Sequence, residues 1–281
     1  MITDVHIHVQ PGRMLREGVR EAILAEGEER FALIESVERD PSVLLAEMDR
    51  CGIGRVGLVN DISPDVTGFT EESNDVCARY AGHDRKRLLP IGGVHARRIT
   101  DPEKTVDRLA DQGMVALKIH PPHQGYPANA YTQGLGALAR VYRRAEERGI
   151  PVMVHTGTSL FPGARCKYGR PMELDDVAVD FPGLTLIMAH GGRPLWCEEA
   201  FFLLRRHRQI WLDLSGIPPR RLLHYFPRLA EVAGRALWGS DWPSPGVQDM
   251  RSNLDEFLEL PLADDLKKRI TEENAFQIFP A

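Results

Sequence analysis

Eight short runs rich in Val, Ile and Leu recur along the chain, at 2–9, 54–60, 88–95, 115–120, 151–156, 184–190, 210–215 and 236–241. Longer amphipathic segments separate them. A strand covered on both faces reads as a continuous apolar run, and a parallel neighbour requires a crossover helix, so this alternation indicates a βα repeat. Eight such units in 281 residues fit a closed (β/α)8 barrel, a fold that uses about 250 residues as one domain. An open doubly wound sheet would carry a Gly-rich phosphate loop after its first strand, and the sequence has no GxGxxG or P-loop. The expectation is an α/β TIM barrel, with 1–281 forming a single domain.

Helix ends carry their own signals. Asp40-Pro41 and Asp101-Pro102 each pair an N-cap carboxylate with a proline suited to the first helical position. Leu135, Leu138, Tyr142 and Ala145 follow the helical period, and Gly149 stands where a C-cap glycine belongs. The segment 10–40, with the charged run REGVREAILAEGEER, interrupts the rhythm as an extended, partly helical loop after the first strand. It leaves the barrel face that carries active sites, which suits either a lid or a solvated peripheral helix. The segments 249–260 and 271–279 read as closing helices.

Composition excludes several classes of function. Lys and Arg total 35 against 40 Asp and Glu, a net charge of -5 without a basic cluster, so a nucleic-acid partner is not expected. No stretch approaches the roughly 18 apolar residues of a membrane span, and Asp4, His6 and His8 occupy a region that is apolar in a signal peptide. Cytoplasmic residence is therefore expected. Cys51, Cys77, Cys166 and Cys197 are scattered, a pattern of reduced thiols rather than a zinc knuckle or disulfide framework.

Polar residues gather at the strand ends: His6 and His8, Asn60 and Asp61, His95, Lys118 and His120, His155, His190, Asp213 and Ser215, and Asp241. Side chains two apart on a strand share a face. Strict alternation points Asp4, His6 and His8 inward with Val5, Ile7 and Val9 outward, and points Ala116, Lys118 and His120 inward. Any one of these histidines alone reads as a hydrogen-bonded core residue. Together, His6, His8 and His155 offer three imidazole nitrogens and Asp241 adds a carboxylate, a set suited to Zn²⁺ or another first-row divalent metal, Mn²⁺ included.

The motifs DVHIHV, ALKIHPP, VMVHTG, IMAHGG and LWGSDWP, in that order, resemble the amidohydrolase superfamily, in the branch that contains aminocarboxymuconate-semialdehyde decarboxylase and its relatives. The likeness runs from Thr3 to the closing ENAFQIF. The resemblance implies a TIM barrel whose metal is held by His6, His8, His155 and Asp241, with His190 beside it acting on substrate or binding a second ion. It also implies that Lys118 is either a carbamylated bridge between two metals or an unmodified lysine paired with Asp241 or a substrate carboxylate. One ion and an unmodified lysine are the preferred reading. A homodimer is compatible with the resemblance.

His120 reads either as a substrate contact or as packing against Pro121. Arg165 and Arg193 are candidates for carboxylate recognition, with solvated surface charge as the alternative for such rim residues. Trp196, Trp242 and Tyr126 suit an aromatic pocket wall or plain packing, and Cys166 is expected to be inert. The expected activity is metal-dependent hydrolysis of a small, carboxylated substrate through a metal-activated water. Asp241 would accept the water's proton, and His190 would stabilise the oxyanion or orient the carbonyl. Non-oxidative decarboxylation by a carboxy-lyase of the same superfamily, or lactone hydrolysis, uses the same ligand set.

Overall fold

Every apolar run becomes a strand: β1 (Thr3–Ile7), β2 (Arg55–Val59), β3 (Leu88–Gly93), β4 (Ala116–Ile119), β5 (Val152–His155), β6 (Leu186–Ala189), β7 (Ile210–Asp213) and β8 (Ala236–Leu237). The computed structural model describes residues 1–280. Strand neighbours follow chain order and all pairs are parallel. The last strand returns to the first: the Val5 amide donates to the Trp238 carbonyl (3.1 Å), the His8 amide to Trp242 (2.8 Å) and the Asp241 amide to His6 (2.8 Å). These bonds draw the ends of β1 and β8 together, and with them His6, His8 and Asp241.

Two apolar layers hold the barrel. An outer cluster, including Ile7, Leu58, Leu117, Val154, Met188 and Leu212, fills the space between strands and helices. An inner cluster of Val5, Val59, Leu89, Ile91, Ala116, Met153, Ile187, Trp211 and Leu237 fills the axis, and Ala275 and Phe279 pack against it. At that end the Arg55 guanidinium donates to the Phe279 carbonyl (2.7 Å) and covers the Phe276 ring. One end of the axis is thus filled, which leaves the other for a cavity.

Strict alternation is wrong for Val5, which packs in the inner cluster instead of facing the helices. The β1–β2 register shifts between Asp4 and Ile7, so Val5 and His6 both turn towards the axis before Ile7 resumes its place in the outer layer. The Asp4 carboxylate accepts from the backbone amides of His6 (3.1 Å) and Ser240 (2.9 Å) across this irregularity. Burial pushes Asp4 up to about 7 against those hydrogen bonds.

The helix signals are realised in detail. The Asp40 carboxylate accepts from the Ser42 amide (2.8 Å) at the start of Pro41–Cys51, and Asp101 accepts from the Lys104 amide (3.2 Å) at the start of Pro102–Asp111. Helix Gly136–Arg148 buries Leu138, Tyr142 and Ala145 and ends at Gly149, whose φ of 63° is the left-handed cap conformation. The segment after β1 folds into helices Glu17–Leu24 and Glu28–Arg39. Both expectations for it meet: its charged faces are solvated, while Leu15, Val19, Ile23 and Ile34 line the cavity beneath. Arg30 donates to the carbonyls of Pro243, Ser244 and Val247 (2.8, 3.1 and 2.9 Å), which ties this cover to the loop that follows Asp241. Among the described residues no helix is long and apolar enough to cross a membrane.

Candidate active site

A cavity of about 600 Å³ opens where the strands end, between the barrel and the helices after β1. Its floor carries His6, His8, Lys118, His155, His190 and Asp241. A barrel strand delivers its last side chain to this face, so residues far apart in sequence converge.

The hydrogen bonds of the imidazoles decide what they can bind. The His8 Nδ1 atom lies 3.0 Å from the Val59 carbonyl oxygen. A carbonyl can only accept, so Nδ1 carries the proton and Nε2 presents a lone pair. His6 Nδ1 is held by the Asp213 carboxylate (2.5 Å) with the Ser215 hydroxyl at 3.0 Å. Its buried Nε2 has no hydrogen-bond partner. The Asp241 Oδ1 atom lies 3.2 Å from His8 Nε2 and 3.6 Å from His6 Nε2. His6, His8 and Asp241 each offer a ligand atom within 4.8 Å of the others. Three electron-pair donors facing one point in a buried pocket repel one another unless a cation lies between them. The residues therefore fit a divalent metal, and Asp213 orients His6 in the way carboxylates orient metal-binding histidines.

The charges agree with this reading. Burial keeps His6 below the ordinary imidazole range, and it holds His155 and His190 well below it, so these rings are neutral. Burial alone would raise Asp241. Its neighbours His8, His6 and Arg193 outweigh it and hold the carboxyl at about 2. This direction keeps Asp241 ionised near neutral pH.

His190 and Asp241 are the described non-glycine residues with positive φ, at 66° and 68°. Such conformations are costly and concentrate at functional sites. Between them lies Gly216, itself at φ 65°, where a Cβ would stand 2.7 Å from Arg193 Nη2, 2.8 Å from Asp241 Oδ2 and 2.9 Å from His190 Nδ1. Gly216→Ala is expected to cost about 1–2 kcal/mol from left-handed backbone strain alone, and to weaken metal binding by displacing Asp241. Urea unfolding and metal titration check the two effects.

His190 differs from expectation in one respect. Its Nδ1 lies 2.8 Å from the Ser215 carbonyl oxygen, which fixes the proton there and leaves Nε2 as an acceptor. A neutral His190 in this tautomer does not donate to an oxyanion. Cations on the same face include Lys118 and Arg193, which line the cavity. The buried Lys118 Nζ has no hydrogen-bond partner, and the pairing with Asp241 expected of it is absent; burial brings its ammonium down to about 8 against the pull of Asp213, Asp241 and Asp61. Arg193 donates to the Thr158 carbonyl (3.2 Å) and its Nη2 is 3.9 Å from Asp241 Oδ2. Arg165 is exposed and does not line the cavity; its backbone amide donates to the Pro122 carbonyl (2.8 Å).

His155 stands apart from His6, His8 and Asp241. Its ring is 4.6 Å from that of His190, and His190 is 5.0 Å from His6. On its other side His155 stacks on His120 (3.8 Å), and His120 stacks on His123 (3.5 Å). His120 thus lines the cavity as the middle of a column of three imidazoles. Trp242 lines the cavity, whereas Tyr126 is packing: its hydroxyl joins Gln124 (2.7 Å) and the Ala96 amide (3.0 Å).

Sequence reasoning missed the group beyond this column. His123 Nδ1 meets Asp61 Oδ2 at 2.7 Å and Nε2 meets the Ser159 hydroxyl at 2.8 Å. Burial would raise Asp61, yet His123, Ser63 and Lys118 hold it below the carboxylate range. The available signal was position: Asp61, His123 and Ser159 each follow a strand end, after β2, β4 and β5.

A family model described as amidohydrolase matches residues 3–281. No curated protein matches the chain. Among solved structures, an uncharacterised TIM-barrel protein from Bordetella bronchiseptica is similar over 99% of this chain and 97% of its own, at 21% identity and a TM-score of 0.77. A probable 2-pyrone-4,6-dicarboxylic acid hydrolase from Acinetobacter baumannii, with citric acid bound, is similar over 100% and 99% at 16% identity and a TM-score of 0.70. A 5-carboxyvanillate decarboxylase from Novosphingobium aromaticivorans, complexed with manganese and a nitrobenzoic acid, covers 100% and 96% at 13% identity and a TM-score of 0.68.

Proposed function

The chain belongs to the amidohydrolase family, and from that premise we propose that it is a metal-dependent hydrolase of a small, carboxylated substrate. The observation that carries this reading is the convergence of His6 Nε2, His8 Nε2 and an ionised Asp241 at the floor of a buried cavity. His155 is proposed as the fourth ligand and one ion as the complement, zinc in first place and manganese in second. When bound, such an ion supplies Lewis acidity toward water and a substrate carbonyl.

The remaining work falls to the chain's own groups. The Asp241 carboxylate, kept ionised by His8 and Arg193, accepts the proton of the attacking water and returns it to the leaving group. Lys118 Nζ, a buried ammonium without a hydrogen-bond partner, takes a substrate carboxylate or the developing oxyanion. Arg193 takes the other of these two charges. His190 presents Nε2 as an acceptor that orients the substrate. Leu15, Val19 and Ile23 give the cavity an apolar wall, and a substrate seated against it displaces water and so strengthens these charge interactions.

Decarboxylation is the second reading. Supporting it, a solved structure with this fold is a 5-carboxyvanillate decarboxylase, and the unpaired Lys118 suits a substrate carboxylate in either reaction. The hydrolase with citric acid bound supports ring-opening of a lactone as a variant of the first. The test is a panel of carboxylated esters, amides, lactones and aromatic acids presented to metal-loaded protein, with acid formation and CO2 followed together. The proposal expects a new carboxylate or amine without CO2. CO2 as the product would establish the second reading instead.

A further inference from the structure

Away from the converging metal ligands, three residues form an ordered hydrogen-bonded series. The Ser159 hydroxyl lies 2.8 Å from His123 Nε2, and His123 Nδ1 lies 2.7 Å from Asp61 Oδ2. Asp61 is buried with His123, and Oδ2 also accepts from the Ser63 hydroxyl (2.6 Å). A carboxylate cannot donate, so His123 carries its proton on Nδ1 and presents a lone pair to Ser159. His120 stacked on one face (3.5 Å) and Phe161 edge-on (5.8 Å) fix the plane of the ring. The Phe161 amide donates to Ser159 Oγ (3.3 Å), which fixes the hydroxyl oxygen. A hydroxyl within reach of a base that a third group orients is the general geometry of an activated nucleophile.

Asp61 and His123, with His120, also offer ligand atoms within 4.8 Å of one another, but the hydrogen bonds of His123 favour a proton relay over a second metal site. Both ring nitrogens of His123 are engaged, and rings stacked face to face direct their in-plane lone pairs side by side rather than at one point. Ser159 and His123 both line the cavity, and the His123 ring lies 6.3 Å from that of His155.

We propose that Ser159, His123 and Asp61 form a second reactive centre in the same cavity, in which Ser159 is a nucleophile toward small carboxylic esters. Ser159 Oγ bonds to the acyl carbon as its proton passes to His123 Nε2. The C–O bond to the alcohol breaks, and the alcohol leaves with that proton. Water then attacks the acyl-serine, gives one proton to His123, and releases the carboxylic acid as His123 returns the proton to Ser159 Oγ. Asp61 balances the positive charge on His123 in each half-reaction. Phe161 on the same wall favours a short apolar acyl group.

A fluorophosphonate probe tests this, because it marks activated serines covalently without needing the natural substrate. The expected result is one adduct per chain, mapped by peptide mass spectrometry to Ser159, forming at the same rate with and without a chelator. Ser159→Ala should abolish it, and His123→Ala should slow it by about a hundredfold or more, the scale of a lost general base. Circular dichroism identifies a variant that fails to fold, and the mapping on the unaltered protein stands by itself. No adduct on Ser159 after prolonged exposure would overturn the proposal, as would a rate that collapses on chelation or is unchanged in a folded His123→Ala variant. Since the proposed metal-dependent activity does not enter this experiment, its failure would be seen separately.

Discussion

Asp241→Asn should lower turnover by about 10³-fold, within the range for loss of a general base, while the fold persists. Asparagine has nearly the same shape as aspartate and is among the few residues that tolerate positive φ, which position 241 requires at 68°. It keeps an amide oxygen to face the ion, so much of the geometry survives. What it loses is the negative charge that His6, His8 and Arg193 hold in place, and with it the capacity to take a proton from water. The measurement is kcat alongside metal content and far-UV circular dichroism. Near-normal turnover in a variant that binds metal normally would remove Asp241 from the proton-transfer step.

Metal removal should produce the largest change in stability. An ion that binds only the folded state stabilises it by about 4 kcal/mol when its free concentration is a thousand times Kd. For a chain of this size each kcal/mol moves Tm by about 2–4 °C, so chelation should lower Tm by about 10 °C. The sign follows from the geometry, because without a cation the lone pair of His8 Nε2 and the Asp241 carboxylate face each other at 3.2 Å. Calorimetry with and without chelator, followed by readdition of zinc or manganese, checks the loss and its reversal. A Tm indifferent to metal would contradict the assignment of the site.

The barrel was readable from sequence because parallel strands covered on both faces must be apolar, and those runs are interrupted by helices with explicit caps at Asp40, Asp101 and Gly149. Val5 was not, since a register shift leaves no mark in an alternating pattern. The convergence of His6, His8 and Asp241 was legible because residue type and strand-end position agreed. The tautomer of His190 was hidden, as it depends on the Ser215 backbone carbonyl, which has no sequence signature. Arg165 was misplaced for a related reason: closeness in sequence to the active face does not say whether a loop side chain lines the cavity, and Arg165 is exposed outside it. Asp61, His123 and Ser159 follow three separate strands, and only their hydrogen bonds show them to be one group.

Elemental analysis of the purified protein, repeated on His6→Ala and His8→Ala variants, asks whether these two strand-end imidazoles hold a metal. The expected result is about one first-row divalent ion per chain, lost in both variants, with activity that returns on adding metal to stripped wild-type protein. A protein that binds no such ion after incubation with zinc or manganese, or that retains it fully when His6 and His8 are replaced, would contradict it.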